Sequence, residues 1–477
     1  MTPSLPPSGP TNAAGVRAWR IDVAVFVLAL LSRLAFVFAA PAFGGDSLAY
    51  TAVAENIVLH ACVSLSDPAT GLCVPHWGGN QLPGYPAFIA ATWLLTGHWI
   101  YAPLVGQAAL YAVAAVSLVR AVRAYAESDR IALLAGLVAA LSPTLVAWPR
   151  MLLTETLTAA AALWVFSLLL RSLHERRLRT VQLGVALAAS FFLRYNLAFL
   201  AVPVAIVGFR LHPPAAAVRR GAMIAAIVMV PVIGWTARNV VVGLPPLPRV
   251  TTVEGVSVPP GIRSWMATWV RSQYDLPVSR WPLFTGDYAV IAAHAPARST
   301  RERTAVVELA RNGPPISAEL DKEFAAVTAE LRSRSPVEQF ALVPLQRAVA
   351  MWLSPFPSLG WPAEVGGNVR GAVTAATQER RWADAAAALA TAAPAVAQKL
   401  LIDGWRYATL ALIAAVPLVA RRRWSLPTVL ALAFALATTL PFAASGAIET
   451  RYLVPVLAWL EVCVVVEWAR PRANRPS

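Results

Sequence analysis

Charged side chains are scarce in this chain, making up 14% of its 477 residues, whereas a typical soluble domain has about 25%. Hydrophobic residues make up 57% of the chain. They form separate apolar runs of roughly 15–21 residues, a length that crosses a hydrocarbon core of about 30 Å. The composition therefore excludes a soluble enzyme and a disordered chain, and the number of apolar runs excludes a receptor with one span.

Lysine is almost absent, with Lys322 and Lys399 the only two. Bidentate contacts to phosphate or carboxylate groups would therefore be made by arginine. A bias in genome composition also explains this preference. The net charge of +15 comes from arginine clusters between the apolar runs and not from one basic face, which excludes a nucleic-acid-binding protein.

Hydropathy predicts about ten membrane spans. Most are single apolar runs, and the stretch 180–209 is long enough for a helical hairpin that turns at Arg194-Tyr195-Asn196. A hairpin keeps every basic connection on one side of the membrane, whereas a single span there would invert all that follows. The predicted single spans are 21–41, 101–119, 131–149, 152–170, 221–241, 405–420, 425–443 and 451–469.

The orientation follows from the basic connections, because arginine and lysine in short loops stay on the cytoplasmic side. Both termini are then cytoplasmic, and the apolar stretches 85–96 and 340–353 are predicted as helices in the outer interface. The predicted fold class is an all-α polytopic membrane protein with about ten transmembrane helices. Its parts are a cytoplasmic tail 1–20, a transmembrane module 21–241 with an external loop 42–100, an external segment 242–400 between the seventh and eighth spans, transmembrane helices 401–469 and a cytoplasmic tail 470–477.

Cysteine is also rare. Cys62 and Cys73 lie in the first external loop, where a disulfide could close their spacing in an oxidising compartment. Two reduced, unrelated cysteines are the alternative. The CxxC spacing is missing and only His60 and His76 are nearby, which argues against a zinc site.

Ionisable residues concentrate at the predicted external ends of the spans. A charge this close to the hydrocarbon is costly unless it is paired or hydrated, and by default it marks a functional site. Snorkelling explains any one arginine, and capping of a helix N-terminus explains Asp46 or Ser47. Convergence on one leaflet nevertheless favours a site. The residues are Asp46, Glu155, Arg194, Arg238, Glu449 and Arg451.

The ordered motifs around these residues resemble the GT-C glycosyltransferases, in particular the bacterial protein-mannosyltransferase-like and aminoarabinose-transferase-like group. The resemblance runs from about residue 20 to the C-terminus. One departure is Gln81, where relatives often have an arginine, so no basic donor contact is expected from that loop. The motifs are Asp46-Ser47 with Tyr50, Ala54-Glu55-Asn56, Pro83-Gly84-Tyr85-Pro86, Leu153-Thr154-Glu155, Trp235-Thr236-Ala237-Arg238-Asn239 and Glu449-Thr450-Arg451-Tyr452-Leu453-Val454-Pro455.

The resemblance implies an enzyme of a bacterial inner membrane that moves a sugar from a polyprenyl-phosphate-linked donor. The acceptor, on the external, periplasmic side, would be a glycan, a glycolipid or a protein, and the anomeric carbon would be inverted. Asp46 is the expected general base. Glu155 is expected to orient the acceptor or, with Asp46, to hold a divalent cation such as Mg²⁺ or Mn²⁺.

The resemblance also assigns the substrate-binding residues. Arg238, Arg451 and Arg194 are expected to stabilise the departing phosphate. The sugar pocket would be lined by Tyr50, Tyr85 and Asn239, and Glu449 would fix Arg451. The alternative function is a transporter or a lipid-handling membrane protein without sugar transfer. It is disfavoured because no internal repeat is visible and Arg33 is the main charge recognised within a predicted span.

Overall fold

The structure is a computed structural model, and the part of the chain that it describes is almost entirely helical. It describes residues 11–39, 41–75, 82–244, 252–253, 256–257, 259–313, 315–355, 361–362, 373, 375–421, 423–446 and 448–469. The motif residue Gln81 and the histidine His76 lie outside these ranges. Two short strands, β1 (Thr252–Val253) and β2 (Val256–Ser257), pair antiparallel.

The N-terminal half contains nine helices within the described ranges. They are α1 (Thr11–Ala39), α2 (Gly45–His60), α3 (Gly84–Thr96), α4 (Tyr101–Ala126), α5 (Asp129–Leu141), α6 (Glu155–His174), α7 (Thr180–Leu193), α8 (Ala201–Leu211) and α9 (Pro214–Val241). The helices that follow are α10 (Pro260–Met266), α11 (Arg280–Thr285), α12 (Tyr288–His294), α13 (Thr300–Asn312), α14 (Ala318–Arg334), α15 (Val343–Leu353), α16 (Trp382–Thr391), α17 (Ala393–Leu418), α18 (Leu426–Ser445) and α19 (Val454–Trp468).

Six of the described helices are long and apolar enough to cross a membrane, by length and composition alone: α1 from Gly15, α4, α6, α9, α17 and α18. The other predicted spans correspond to the shorter helices α5, α7, α8 and α19. These elements confirm the all-α polytopic fold. The chain also turns where the hairpin was predicted, because α7 ends at Leu193 and a 3₁₀ turn over Tyr195–Leu200 leads into α8.

The predicted span 131–149 is wrong in its second half, because α5 ends at Leu141. Ser142 precedes Pro143, and a residue before proline is biased away from the helical conformation. The freed carbonyl groups at this helix end are taken by Arg33 of α1. Its guanidinium donates to the carbonyl oxygens of Ala140 at 2.9 Å and Ala139 at 3.1 Å.

Arg33 lies inside the bundle, fully buried, with its guanidinium 3.5 Å from the ring centroid of Tyr111. Glu461 of α19 interacts with it electrostatically and is itself buried, accepting a hydrogen bond from Thr144 at 2.5 Å. The sequence interpretation named Arg33 and overlooked Glu461. The bundle therefore holds an acid as well as a base, in a place where a lone charge would be costly.

The last helix packs against the centre of the N-terminal half. Trp459 of α19 is fully buried, stacks on Phe166 of α6 at 4.5 Å and donates from its indole to the carbonyl oxygen of Ala162 at 2.7 Å. Stacked aromatic pairs add about 0.5–1.5 kcal/mol to the burial of their area. This contact brings the segment that precedes α19 to the N-terminal end of α6.

The helices between α9 and α16 form a compact unit, and α15 is one of the elements through which it contacts the bundle. Within the unit, Trp265 packs on Phe324 at 4.6 Å and donates to the buried Glu302 at 2.7 Å. Trp352 of α15 donates to Thr439 of α18 at 2.9 Å. The predicted helices 85–96 and 340–353 correspond to α3 and α15, and their position in the outer interface stays a prediction.

The loop after α2 is closed by a disulfide between Cys62 and Cys73. The structure thus favours the disulfide over two unrelated thiols. Cys463 of α19 is buried as a free cysteine.

Candidate active site

Asp46 stands in the first turn of α2, where the chain leaves α1. The helix is capped by Gly44 and Ser47: the Gly44 N–H donates to Ser47 Oγ, and the Ser47 N–H donates to the Gly44 carbonyl oxygen, both at 3.0 Å. Ser47 therefore fulfils the capping role that was the alternative explanation for Asp46. The Asp46 carboxylate instead pairs with an arginine from the far end of the chain.

Arg451 links three carboxylates. Its Nη2 lies 2.7 Å from Asp46 Oδ2, its Nε lies 2.5 Å from Glu449 Oε2, and its Nη1 lies 3.9 Å from Glu155 Oε1. The side chain is 17% exposed, so its charge is only partly screened by solvent. A planar guanidinium with five donors suits such multiple pairing, whereas a lysine ammonium does not.

Glu155 is the first residue of α6, where the helix dipole favours a carboxylate. Its Oε1 accepts from Arg194 Nη1 at 2.7 Å, and the same arginine atom donates to Thr154 Oγ1 at 3.1 Å. The side chain is 1% exposed. Its second oxygen, Oε2, is buried and has no hydrogen-bond partner among the described residues. A buried carboxylate oxygen without a hydrogen-bond partner is costly.

Tyr452 completes the cluster and was not among the predicted site residues. Its hydroxyl donates to Glu449 Oε1 at 3.1 Å, and the guanidinium of Arg194 lies 4.7 Å from its ring centroid. Its place beside Arg451 in the Glu449-Thr450-Arg451-Tyr452 motif was the available signal. A tyrosine that receives a cation on its face and anchors an acid by its hydroxyl holds both groups in place.

Tyr50 and Tyr85 lie next to the charged cluster, with ring centroids 5.0 Å apart in an edge-to-face arrangement. Tyr50 has electrostatic interactions with Arg194, Asp46 and Glu155. Burial raises the pKa of Tyr50 and of Tyr85 above the usual value for tyrosine. Both hydroxyls are neutral at physiological pH, as an unperturbed tyrosine also is.

Gln107 of α4 supports this side of the site, and the sequence interpretation missed it. It accepts from the Tyr85 hydroxyl at 3.1 Å and donates to the carbonyl oxygens of Pro149 and Met151, each at 2.9 Å. The side chain is fully buried. It thus connects Tyr85 to the loop that leads into Glu155.

Gly84 explains why the Pro-Gly-Tyr-Pro turn lies against the hairpin tip. A Cβ added to it would lie 2.4 Å from the carbonyl oxygen of Phe192, two residues before Arg194. Only glycine permits this approach of two backbones. The contact brings Tyr85 and Arg194 to the same site.

Arg238 and Asn239 occupy a different place. Arg238 donates to Asn239 Oδ1 at 3.0 Å and to the carbonyl oxygen of Val63 at 3.3 Å. Val63 follows the C-terminal end of α2, whereas Asp46 is in its first turn. The 16 residues of α2 span about 24 Å. The structure thus brings together Asp46, Glu155, Arg194, Glu449 and Arg451, with Tyr50 and Tyr85 beside them, and places Arg238 and Asn239 near the opposite end of α2.

The charges of the cluster do not balance. Asp46, Glu155 and Glu449 are acids, and Arg194 and Arg451 are the bases paired with them, so the formal charge is −1. Among the described residues, no three histidine, cysteine or acidic side chains form a group that could hold a metal ion. Asp46 and Glu155 are nevertheless near each other, because the two ends of one guanidinium contact them.

The helical bundle and the acid–arginine cluster at one end of it define a polytopic membrane protein with a charged site. Residues 80–235, about a third of the chain, match the family model of dolichyl-phosphate-mannose-protein mannosyltransferases. This match confirms the resemblance to the GT-C membrane glycosyltransferases. The matched segment contains Tyr85, Glu155 and Arg194, whereas Asp46 and Arg451 lie outside it.

No curated protein sequence matches the chain significantly. A solved structure, the crystal structure of ArnT from Cupriavidus metallidurans bound to undecaprenyl phosphate, is similar with a TM-score of 0.38 and 15% sequence identity. The similarity covers 96% of this chain and 79% of that one. A similarity this low carries no argument about the site.

Proposed function

We propose that this protein is a membrane glycosyltransferase that takes a sugar from a polyprenyl-phosphate-linked donor. It passes the sugar to a hydroxyl acceptor, such as a glycan, a glycolipid or a protein, on the external side of the membrane. The match of residues 80–235 to a mannosyltransferase family supports the reaction class. The apolar helices support a donor that reaches the site from the bilayer.

The observation that carries the proposal is the pairing of Arg451 with Asp46 and, at 3.9 Å, with Glu155. These residues come from α2, the start of α6 and the turn before α19, three distant parts of the chain. A partly exposed carboxylate, Asp46, beside arginines provides both a base for a hydroxyl group and donors for a phosphate. A transporter has no evident need for this combination at one end of the bundle.

In the proposed reaction, the acceptor hydroxyl gives its proton to the Asp46 carboxylate while its oxygen attacks the anomeric carbon of the donor sugar. The bond between that carbon and the phosphate oxygen breaks, and the lipid phosphate leaves with the electron pair. Attack from the side opposite the phosphate inverts the anomeric carbon. Arg194 and Arg451 stabilise the charge that develops on the phosphate, and Tyr50 and Tyr85 contact the sugar.

The formal charge of −1 on the cluster works against an anionic donor unless another cation is present. The unpartnered Oε2 of Glu155 fits such a cation, and Asp46 and Glu155 are the residues that would hold it. Mg²⁺ is commonly bound by one or two carboxylates together with substrate phosphate oxygens. A divalent cation would supply positive charge to the donor phosphate.

The test is sugar release from a panel of radiolabelled polyprenyl-phosphate sugars by detergent-purified protein. Asp46→Asn keeps the side-chain size but removes the base, so we expect kcat to fall by about 10²–10⁴-fold. Asp67→Asn, in the loop after α2, is the matched control and should retain wild-type turnover. EDTA should lower turnover, and added Mg²⁺ or Mn²⁺ should restore it.

Each arm has an outcome that contradicts part of the proposal. Equal turnover by wild type and Asp46→Asn would mean that another residue, first of all Glu155, is the general base. Full turnover in EDTA would show that the reaction needs no divalent cation. A wild-type protein that releases sugar from no donor of the panel, yet moves solute in liposomes, would favour the transporter instead.

A further inference from the structure

The turn that carries Arg451 is held from outside the bundle. Glu449 and the 3₁₀ turn Thr450–Leu453, named here the Arg451 turn, connect α18 to α19. Gln273 lies in the helical unit between α9 and α16, and its Oε1 accepts from the Thr450 N–H at 3.3 Å and from Thr450 Oγ1 at 3.0 Å. Thr450 is fully buried, whereas Gln273 is partly exposed, so these hydrogen bonds lie at the edge of the buried region.

Gln273 is itself held in place by hydrogen bonds within the helical unit. It opens a 3₁₀ turn whose start is fixed by Asp275, which accepts from the N–H groups of Arg271 at 2.7 Å and Ser272 at 2.8 Å. Its Nε2 donates to the carbonyl oxygen of Pro355, just beyond α15, at 3.0 Å. With both ends of its amide bonded, Gln273 has little freedom to follow a movement of the Arg451 turn.

A second connection lies at the end of α18, where the segment between α18 and α19 begins. Arg347 of α15 is 1% exposed and donates to the carbonyl oxygens of Val270 at 2.8 Å and Ala443 at 3.1 Å, and also to that of Ala267. Ala443 lies in the last turn of α18, three residues before Gly446. Arg347 thus joins the helical unit to the end of α18. Gln273 joins the same helical unit to the Arg451 turn.

We propose that Gln273 is a positioning residue that holds Arg451 in place between Asp46 and Glu155, with Arg347 fixing the adjoining end of α18. The inference rests on the proposed function, since it concerns the geometry of that site. It makes the helical unit between α9 and α16 a part of the active-site framework. A displacement of this unit would change the pairing of Arg451 with its carboxylates.

The first test does not depend on activity. Hydrogen–deuterium exchange of residues 448–453 is compared between wild type, Gln273→Ala and the matched control Gln346→Ala, an exposed glutamine of α15. Removal of a hydrogen bond from the Thr450 N–H should speed exchange in this segment about fivefold in Gln273→Ala. The control should exchange at the wild-type rate. Unchanged exchange in Gln273→Ala would overturn the proposal.

The second test separates positioning from loss of folding. A misplacement of a catalytic group by about 1 Å costs up to about 100-fold in rate, so Gln273→Ala should lower kcat by about 10–100-fold. Its melting temperature should remain within about 3 °C of wild type. Thr450→Val removes the hydroxyl hydrogen bond but keeps the Thr450 N–H, so it should lower kcat less than Gln273→Ala does. The double variant should be no slower than Gln273→Ala, because both changes act on one connection.

The outcomes distinguish this inference from the proposed function. If the effects of the two single variants multiply, Gln273 does not act through Thr450 and the inference is wrong. If wild type releases sugar and Gln273→Ala equals it in rate and exchange, only the positioning role fails. If wild type acts on no donor, the proposed function fails, and the exchange measurement alone decides the role of Gln273.

Discussion

Arg451 is the residue on which the site depends most, since its guanidinium contacts Asp46, Glu155 and Glu449 from three different nitrogen atoms. A lysine has a single charged nitrogen and cannot keep these three pairings at once. Breaking a buried pair costs more than forming it contributes, because the partner charge is left without compensation. The loss is larger for Asp46 than for Glu155, because Glu155 keeps Arg194 at 2.7 Å, whereas Arg451 is the one ion-pair partner of Asp46 among the described residues.

We predict that Arg451→Lys lowers kcat/KM for the lipid-linked donor by about 10²-fold, which corresponds to about 2.7 kcal/mol of transition-state stabilisation. The measurement is steady-state sugar release at several donor concentrations. Arg120→Lys is the control, because Arg120 pairs with Asp22 near the opposite end of α1 and its side chain is 57% exposed. A wild-type kcat/KM in Arg451→Lys would mean that a positive charge at this position is sufficient for activity, without the several donor nitrogens of a guanidinium.

At the scale of elements, the contact between the start of α3 and the hairpin tip sets the distance between Tyr85 and Arg194. The contact exists because Gly84 has no side chain. Any Cβ at this position meets a backbone carbonyl oxygen, which cannot rotate away as a side chain would. The two elements must then separate.

We predict that Gly84→Ala lowers sugar release by at least about tenfold, because the separation displaces Tyr85 and Arg194 from their partners. The strain should also destabilise the protein by about 1–3 kcal/mol, measurable as a lower melting temperature in detergent. Gly221→Ala is the control: a Cβ there meets nothing within 4 Å, and alanine is the better helix former. A normal rate in Gly84→Ala would show that the hairpin tip adapts.

Several of these elements follow from the sequence and others do not. The turn at Arg194 was predicted, because the alternation of basic loops demands a hairpin there. The end of α5 was missed, although Pro143 was its local signal. Gln107 and Gln273 carry no charge and do not interrupt the hydropathy pattern, and their partners are distant in sequence. No local sequence feature therefore predicts their roles. The pairing of Arg451 with Asp46 is equally invisible before the helices are packed.

At the scale of the whole molecule, the site and the basic connections lie at opposite ends of the helices. Asp22 of α1 pairs with Arg120 and Arg123 at one end, at 2.6 Å and 3.1 Å. Asp46 and Arg451 lie beyond the other end of α1. The positive-inside rule assigns the end with the basic connections to the cytoplasm, so the site is expected on the external side.

We predict that a cysteine introduced by Thr304→Cys, exposed on α13, reacts with a membrane-impermeant maleimide in intact cells. Arg177→Cys, in the loop after α6, should react only after the membrane is permeabilised. Background labelling should be low, because Cys62 and Cys73 form a disulfide and Cys463 is buried. The reverse pattern of labelling would invert the topology and place the site on the cytoplasmic side.

The pairing of Arg451 with Asp46 also has a consequence for biosynthesis. Asp46 and Glu155 are made early, and the ribosome adds Arg451, the arginine that compensates Asp46, 405 residues after Asp46. Until then Glu155 has Arg194 as its counter-ion, while Asp46 must stay hydrated at the membrane surface. A chain cut short before this point keeps an uncompensated acid and lacks α19 from its centre. Such a truncated product should be a substrate for membrane proteolysis and not a stable, partly active enzyme.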